Sequence, residues 1–362
     1  VPPILDVVGG WVHYFRDYWL GLGRLESKLL ADQLRATQLT SPIFVCGLAR
    51  SGSTLLHEAI AAHPGVATHR VKDYPLVYTP YWWRRATAKT APAAPRERPH
   101  RDRVFITIDS PDALEEMLWL AFFPRCHDPR SDNRLGANES YPAFERFYRS
   151  HIRKLLLAEG ATRYVAKANY HVARLPYLLR LLPDAKIVLP VRSPARHIAS
   201  LMRQHRWFAE GHRLNPRALR YMQRSGHFEF GGDRRPINLG DHERVRQIEH
   251  DWSTGHEARG WARYWEMVYA YLARLLETDR VVRRAAKVIR FEALCDRPAD
   301  CLREVLGHCG LPDGEPVVGR FAPTIRRPDY YDASFTAAEA AAIRQETATT
   351  AGLWGYAQSP GT

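Results

Sequence analysis

The chain has 362 residues, 45% hydrophobic and 25% charged, with a formal net charge of +13 and a pI near 9.7. Such a chain can bury a large core, and its composition excludes a disordered polymer. The basic residues, mostly arginine, are dispersed rather than gathered in a tail, and neither a zinc-finger spacing nor an aromatic-plus-basic RNA-binding signature occurs, so a pocket for small polyanions fits at least as well as a nucleic-acid track.

Along residues 1–40, Trp11, Tyr14, Phe15, Tyr18, Trp19 and Leu22 recur at helical spacing, which predicts an amphipathic lid or packing helix. Residues 42–47 read as a first core strand and 53–62 as the helix after it, ended by His63-Pro64-Gly65. The turn between them is Arg50-Ser51-Gly52-Ser53-Thr54. A helix start offers unpaired N–H groups and partial positive charge. Gly52 permits close approach, Ser53 and Thr54 add hydroxyls, and Arg50 adds a bidentate cation. Such a turn suits a phosphate or sulfate, although Ser and Thr are also ordinary helix caps. It is not a nucleotide-triphosphate P-loop, because Ser53 stands where that motif needs lysine.

Residues 85–104 read as an exposed loop, and 111–123 as a helix capped by Ser110 with Pro111 at its first position. An α/β rhythm follows: helix 143–159, strand 164–167, helix 171–182, strand 186–192, then a helix opened by Ser193-Pro194 that runs through Ser200. This alternation predicts an α/β fold, three-layered, with a central mostly parallel sheet flanked by helices. Ligands of such sheets bind beyond the carboxyl ends of strands, where Arg50, Lys167 and Arg192 all fall. Residues 203–259 break the rhythm and read as an insertion capping one side of the site; their histidines lack metal-ligand spacing. A helix over 260–277, a strand over 287–292, and helices over 298–309 and 337–351 complete a single domain spanning 1–362.

Cys46, Cys126, Cys295, Cys301 and Cys309 are odd in number and form no close pair, so the reducing cytoplasm is the expected location. No apolar run reaches the roughly 18 residues that span a bilayer. The oligomeric state is open in the sequence, with a homodimer compatible.

Three segments, in this order, resemble the sulfotransferases that use 3′-phosphoadenosine 5′-phosphosulfate (PAPS). Gly47 through Leu56 resembles the family's 5′-phosphosulfate loop, with Ser53 in place of a threonine. Lys186 through Ser200 resembles the 3′-phosphate site, which pairs a strand-end arginine with a serine eight residues on, here Arg192 and Ser200. Ile289-Arg290-Phe291-Glu292-Ala293-Leu294 resembles the Arg-Tyr-Glu-Asp-Leu segment. Lys167 places the likeness nearer the bacterial and tyrosylprotein-type branches, while the family's C-terminal Gly-rich loop is unrecognisable and Arg326 and Arg327 are its loosest replacements.

The resemblance implies a P-loop-like sulfotransferase fold, PAPS as co-substrate, PAP as product, a hydroxylated acceptor (small molecule, lipid or carbohydrate), no nucleic-acid partner and no metal. It implies that Arg50, Ser51, Gly52, Ser53 and Thr54 hold the 5′-phosphosulfate, that Arg192 and Ser200 hold the 3′-phosphate, and that Arg50 and Lys167 stabilise the leaving group. Tyrosylprotein-type relatives place a glutamate base after the loop helix; here His69 and Asp73 are the nearest replacements, and His171 is a third. Tyr74, Tyr78, Tyr81, Trp82 and Trp83 suit either an acceptor wall or core packing, and Trp261, Trp265 or Phe291 either adenine stacking or helix packing. The competing readings are a P-loop-like nucleotide kinase with a degenerate loop and a basic nucleic-acid-binding protein.

Overall fold

Ile43, Phe44 and Val45 form β1 (Ile43–Val45), an uninterrupted apolar run buried on both faces, as a central parallel strand must be. The computed structural model describes residues 1–90, 94–98, 100, 105–328 and 334–356. The remaining strands are β2 (Val66–Ala67), β3 (Arg96–Glu97), β4 (Phe105–Ile106), β5 (Arg163–Lys167), β6 (Lys186–Val191) and β7 (Ala286–Arg290). Five of them make a parallel sheet in the order β2-β5-β1-β6-β7, with Phe44 opposite both Ala166 and Ile187. Strand β1 sits at its centre, where the connections diverge to either side and ligand crevices open.

Alternation along β1 sorts the core. Phe44 and Cys46 join the larger apolar cluster, while Ile43 and Val45 face the smaller one. Helices Pro142–Glu159, Leu175–Leu181 and Glu257–Thr278 cover the first face, and Ser53–Ala61, Pro298–His308 and Glu315–Phe321 the second. The result is the expected α/β fold: a parallel sheet between helical layers.

Several boundaries differ from the sequence reading for local reasons. Pro111 pairs with Arg70 in an isolated antiparallel bridge, so the next helix starts at Glu116, as Glu116–Phe122. The segment after β5 begins as a 3-10 turn, Asn169–Ala173, before helix Leu175–Leu181. Helix Pro194–Leu214 runs past Ser200 into the irregular region, which continues with helices Pro216–Ser225 and His242–Ser253. Strand β7 stops at Arg290, and Phe291 opens helix Phe291–Asp296. Part of the 85–104 loop lies outside the described residues; within it β3 pairs antiparallel with β4.

The N-terminal helices Pro3–Tyr14, Arg16–Leu29 and Ala31–Ala36 pack onto this body. Gly23 is needed there, since a Cβ would lie 2.5 Å from Tyr78 O and 2.9 Å from the Phe147 ring. Beside it, Lys154 Nζ forms an ion pair with Glu26 Oε2 at 2.8 Å and donates to Gly23 O at 3.0 Å, with both charged side chains fully buried. The Glu26 carboxylate also accepts the Trp82 N–H at 2.6 Å. Removing one member strands a buried charge, which costs about 3–5 kcal/mol, whereas replacing both by apolar groups costs far less. Lys154→Ala is therefore expected to lower the denaturant midpoint steeply, and Glu26→Leu with Lys154→Met to recover most of it, measured by urea unfolding.

Candidate active site

The loop after β1 is shaped by two residues in the left-handed region, Arg50 at φ 70° and Gly52 at φ 102°. For Arg50 this conformation is uncommon and carries a cost of order 1 kcal/mol. For Gly52 it is required twice over, since a Cβ would also lie 2.6 Å from the Phe291 ring. Ser51 is fully buried and its amide donates to Leu48 O at 3.2 Å, so Ser51 shapes the turn from inside. The first helical hydrogen bond runs from Leu56 N–H to Gly52 O at 3.2 Å, which leaves the Ser53, Thr54 and Leu55 amides ahead of the ladder.

Residues from β6 and its following helix hold this loop. Arg50 Nε donates to Ser200 Oγ at 3.3 Å, and Arg192 Nη1 donates to Arg50 O at 3.2 Å. Arg192 and Ser200 are both nearly buried, and the Arg192 guanidinium lies 4.7 Å over the Phe291 ring. Phe291 thus wedges between Gly52 and Arg192 rather than standing open for an adenine. Its neighbour Glu292 accepts the Ser193 N–H at 3.1 Å and the Tyr356 hydroxyl at 2.7 Å, anchoring the start of helix Pro194–Leu214. Arg290 Nη1 donates to Gly355 O at 2.8 Å and secures the same tail.

One residue of this knot escaped the sequence reading. His197 is fully buried and its Nε2 lies 2.8 Å from Ala49 O, which is a hydrogen bond when Nε2 carries the proton. Burial pulls its pKa down to about 3, so the ring is neutral. Its place between Arg192 and Ser200, on the face that meets the loop, is the signal that would have found it.

On the other side of β1, Lys167 ends β5 and its Nζ donates to Thr54 Oγ1 at 3.4 Å. Burial first, and the nearby Arg98 second, lower the Lys167 pKa. The charge of Glu229 acts in the opposite direction. Glu229 Oε1 accepts Asn169 Nδ2 at 2.6 Å, and its Oε2 lies 3.6 Å from His227 Nδ1. For His227, burial would lower the pKa, but the neighbouring Glu229 carboxylate outweighs it and the net shift is upward. These residues come from the irregular 203–259 region, and local sequence gave no sign that they return to the sheet edge.

His69, Asp73 and His171 are enclosed in the protein body. His69 is nearly fully buried, with Nε2 2.9 Å from His151 Nε2 and Nδ1 3.3 Å from the Tyr164 hydroxyl, and burial lowers its pKa. Asp73 is equally buried; Arg84 grips it through Nε at 2.6 Å and Nη2 at 2.5 Å, and the Arg70 N–H adds a third donor at 2.8 Å. His171 is enclosed 2.9 Å from Glu115 Oε1 and against the Phe44 ring. The polar atoms of all three meet partners within the protein body.

Several of the aromatics are packing elements. Tyr74 meets Tyr221 edge-on at 4.6 Å, Tyr78 is buried, and Trp83 Nε1 donates to Lys72 O at 2.6 Å. Trp261 and Trp265 are buried, Trp261 against Trp252 at 4.8 Å. Arg327 pairs with Asp296 at 2.8 Å on an exposed surface. His205 and His212 accept the Gly231 and Gly232 N–H groups. Among the described residues no helix is long and apolar enough to cross a membrane.

Comparison with known proteins places the fold and the family. The profile described as the sulfotransferase family matches residues 42–229, more than half of the chain. No curated protein matches it. Sulfotransferase STF1 from Mycobacterium tuberculosis H37Rv aligns with a TM-score of 0.51 at 16% identity, covering 96% of this chain and 87% of its own. Sulfotransferase STF9 from Mycobacterium avium aligns with a TM-score of 0.51 at 14% identity, covering 90% and 80%. Those structural likenesses establish a shared fold, and with the profile match, which includes the Arg50 loop, Lys167, Arg192 and Ser200, the chain belongs to the sulfotransferase family.

Proposed function

We propose that this sulfotransferase moves the sulfonate of PAPS to a hydroxyl of a small-molecule, lipid or carbohydrate acceptor by in-line displacement. The observation that carries the reading is the Arg50 knot, which joins two anion-binding features at adjacent strand ends into one site. The residues fit such a donor: helix-start amides and Arg50 suit a 5′-phosphosulfate, and the nearly buried Arg192 and Ser200 suit a 3′-phosphate. PAPS supplies a sulfonate already activated on a phosphate leaving group.

In this reading Arg50, Gly52, Ser53 and Thr54 hold the 5′ end, with Ser51 fixing the turn from within. Arg192 and Ser200 hold the 3′-phosphate, while His197 and Phe291 position them. Lys167, tied to Thr54, stands where charge develops on the bridging oxygen and stabilises it together with Arg50. Fixed cations perform the neutralisation, so no metal is assigned a role. The acceptor approaches from the Lys167 side, under the 203–259 cap.

His69 and Asp73 serve this reading as internal supports rather than as the base, because their acceptor atoms are already engaged in the core. The base role falls to His227, partly exposed and oriented by Glu229, which Asn169 holds in turn. Glu229 favours the imidazolium, so His227 accepts a proton only above an elevated pKa.

Two outcomes follow. Adenosine 3′,5′-bisphosphate is expected to raise the melting temperature without Mg²⁺ by ligand linkage. Arg192→Ala is expected to weaken that binding about 10- to 100-fold, from loss of a charged hydrogen-bond pair; an ATP–Mg²⁺ shift of equal size would instead support the kinase reading. With an acceptor identified by mass spectrometry from pooled alcohols, phenols and sugars, kcat/KM is expected to rise with pH through a midpoint above the ordinary imidazole value. His227→Ala should lower kcat about 10²- to 10⁴-fold and abolish that limb. Glu229→Gln should move it to lower pH, since it removes the charge that holds the imidazolium; an unshifted limb in both variants would remove His227 from the reaction.

A further inference from the structure

The residues that hold the proposed base leave one acceptor unfilled. Asn169 follows Lys167, the last residue of β5, by two positions and is only 6% exposed. Its Nδ2 donates to Glu229 Oε1 at 2.6 Å, which fixes the amide, since the flipped amide would set oxygen against oxygen. The amide oxygen Oδ1 is buried and receives no hydrogen bond from a described residue. Buried polar atoms are almost always paired, so an orphan beside the site points to a missing donor.

A second acceptor stands at the same end of the sheet. Pro111 bridges to Arg70, and the Asp112 N–H donates to His69 O at 2.9 Å. His69 and Arg70 continue the chain past β2, and β2 is the strand beside β5, with Ala67 opposite Tyr164. Asp112 therefore lies past the carboxyl end of the sheet, as Asn169 does. Its Oδ1 accepts the Ala113 N–H at 2.8 Å, while Oδ2 has no hydrogen-bond partner among the described residues and the side chain is half-buried. The Asp112 charge, like that of Glu229, favours the protonated forms of both Lys167 and His227.

This pair of acceptors selects the substrate. An amide oxygen and a carboxylate only accept, so what pairs with them must donate. The hydroxyl that receives the sulfonate gives its proton to the base, and a phenol or a simple alcohol then has no donor left for either atom. A polyol has one on each neighbouring carbon. We infer, on the basis of the sulfonate transfer proposed above, that the acceptor is a polyhydroxylated compound of the carbohydrate class, whose hydroxyls next to the reacting one donate to Asn169 Oδ1 and to the Asp112 carboxylate. An ammonium group also donates, but Lys167 and Arg50 repel it, and the Asn169 oxygen offers no charge in return. An acidic acceptor meets Asp112 and Glu229 and is repelled as well.

Steady-state kinetics of the full chain with PAPS and matched acceptors tests this. Cyclohexanol, its trans vicinal diol, its trans vicinal amino alcohol, myo-inositol, methyl glucoside, phenol and octanol are compared, with the sulfonated product read by mass spectrometry. Wild type is expected to favour the diol over cyclohexanol by at least about 100-fold in kcat/KM, because a site built to hydrogen-bond a hydroxyl rejects the analogue that lacks it. Asn169→Ala also releases Glu229 and lowers turnover on every acceptor, so the ratio between acceptors is the readout. That diol preference should fall at least about tenfold in Asn169→Ala, and the preference for inositol over the diol about tenfold in Asp112→Ala. Adenosine 3′,5′-bisphosphate should still raise the melting temperature of both variants, which shows them folded. Cyclohexanol, phenol or octanol used as well as the diol, a preference for the amino alcohol, or ratios unchanged in both variants would overturn the inference and leave sulfonate transfer standing. So would an enzyme that binds the bisphosphate yet sulfonates no polyol of the panel. An enzyme that neither binds the bisphosphate nor sulfonates any acceptor would overturn both readings.

Discussion

The site rests on the hydrogen bonds that fix the backbone around Arg50. Arg50 has a left-handed conformation that no side chain of its kind prefers, and it holds because neighbouring groups over-determine it. Arg192 donates to the Arg50 carbonyl, His197 lies within hydrogen-bonding distance of the Ala49 carbonyl, and Ser200 accepts from the Arg50 guanidinium. All three come from one strand end and the first two turns of one helix. The loop and the helix are therefore a single device, and what binds one must sense the other. Phe291 closes it from below, wedged against Gly52 and beneath Arg192.

Around this device the protein spends much of its polar chemistry on rigidity. Glu115 receives the Tyr148 and Tyr164 hydroxyls and Trp119 Nε1; burial would raise its pKa, but the His171 charge and these donors hold it at about 2. Glu116 is engaged by Arg174 and His127 at 2.7 Å each. The Asp73–Arg84 pair and the His69–His151 contact belong to the same kind of internal bracing. Such buried networks help to specify one packing of the layers beneath the site. They also explain why residues of catalytic type cluster in a stretch that turns its polar atoms inward.

The parts of the site that sequence made legible are those whose chemistry is local. An apolar strand run followed by Arg50, Gly52, Ser53 and Thr54 announces a strand, a turn and a helix start within one short window. Arg192 and Ser200 share a strand end and its helix, so their spacing carries information, and Lys167 is marked by ending its strand. The proposed base was illegible for the opposite reason. His227 and Glu229 come back to the end of β5, where Glu229 meets Asn169, only because a long helical excursion, Pro194–Leu214 and Pro216–Ser225, returns to the sheet edge. Proximity along the chain instead favoured His69 and Asp73, which tertiary packing encloses. Helix starts failed likewise where a long-range contact overrode a local cue, as when Pro111 joined Arg70 in a bridge.

The central claim is that the Arg50 loop and the Arg192–Ser200 pair form one site for a doubly charged nucleotide. Titration calorimetry of the wild-type protein with adenosine 3′,5′-bisphosphate, 5′-AMP and 3′-AMP tests it most directly. A joined site gives each phosphate its own charge-assisted contacts, so the bisphosphate is predicted to bind at least about tenfold more tightly than either monophosphate. Equal affinities for all three nucleotides would contradict it, because one of the two anion-binding features would then contribute nothing.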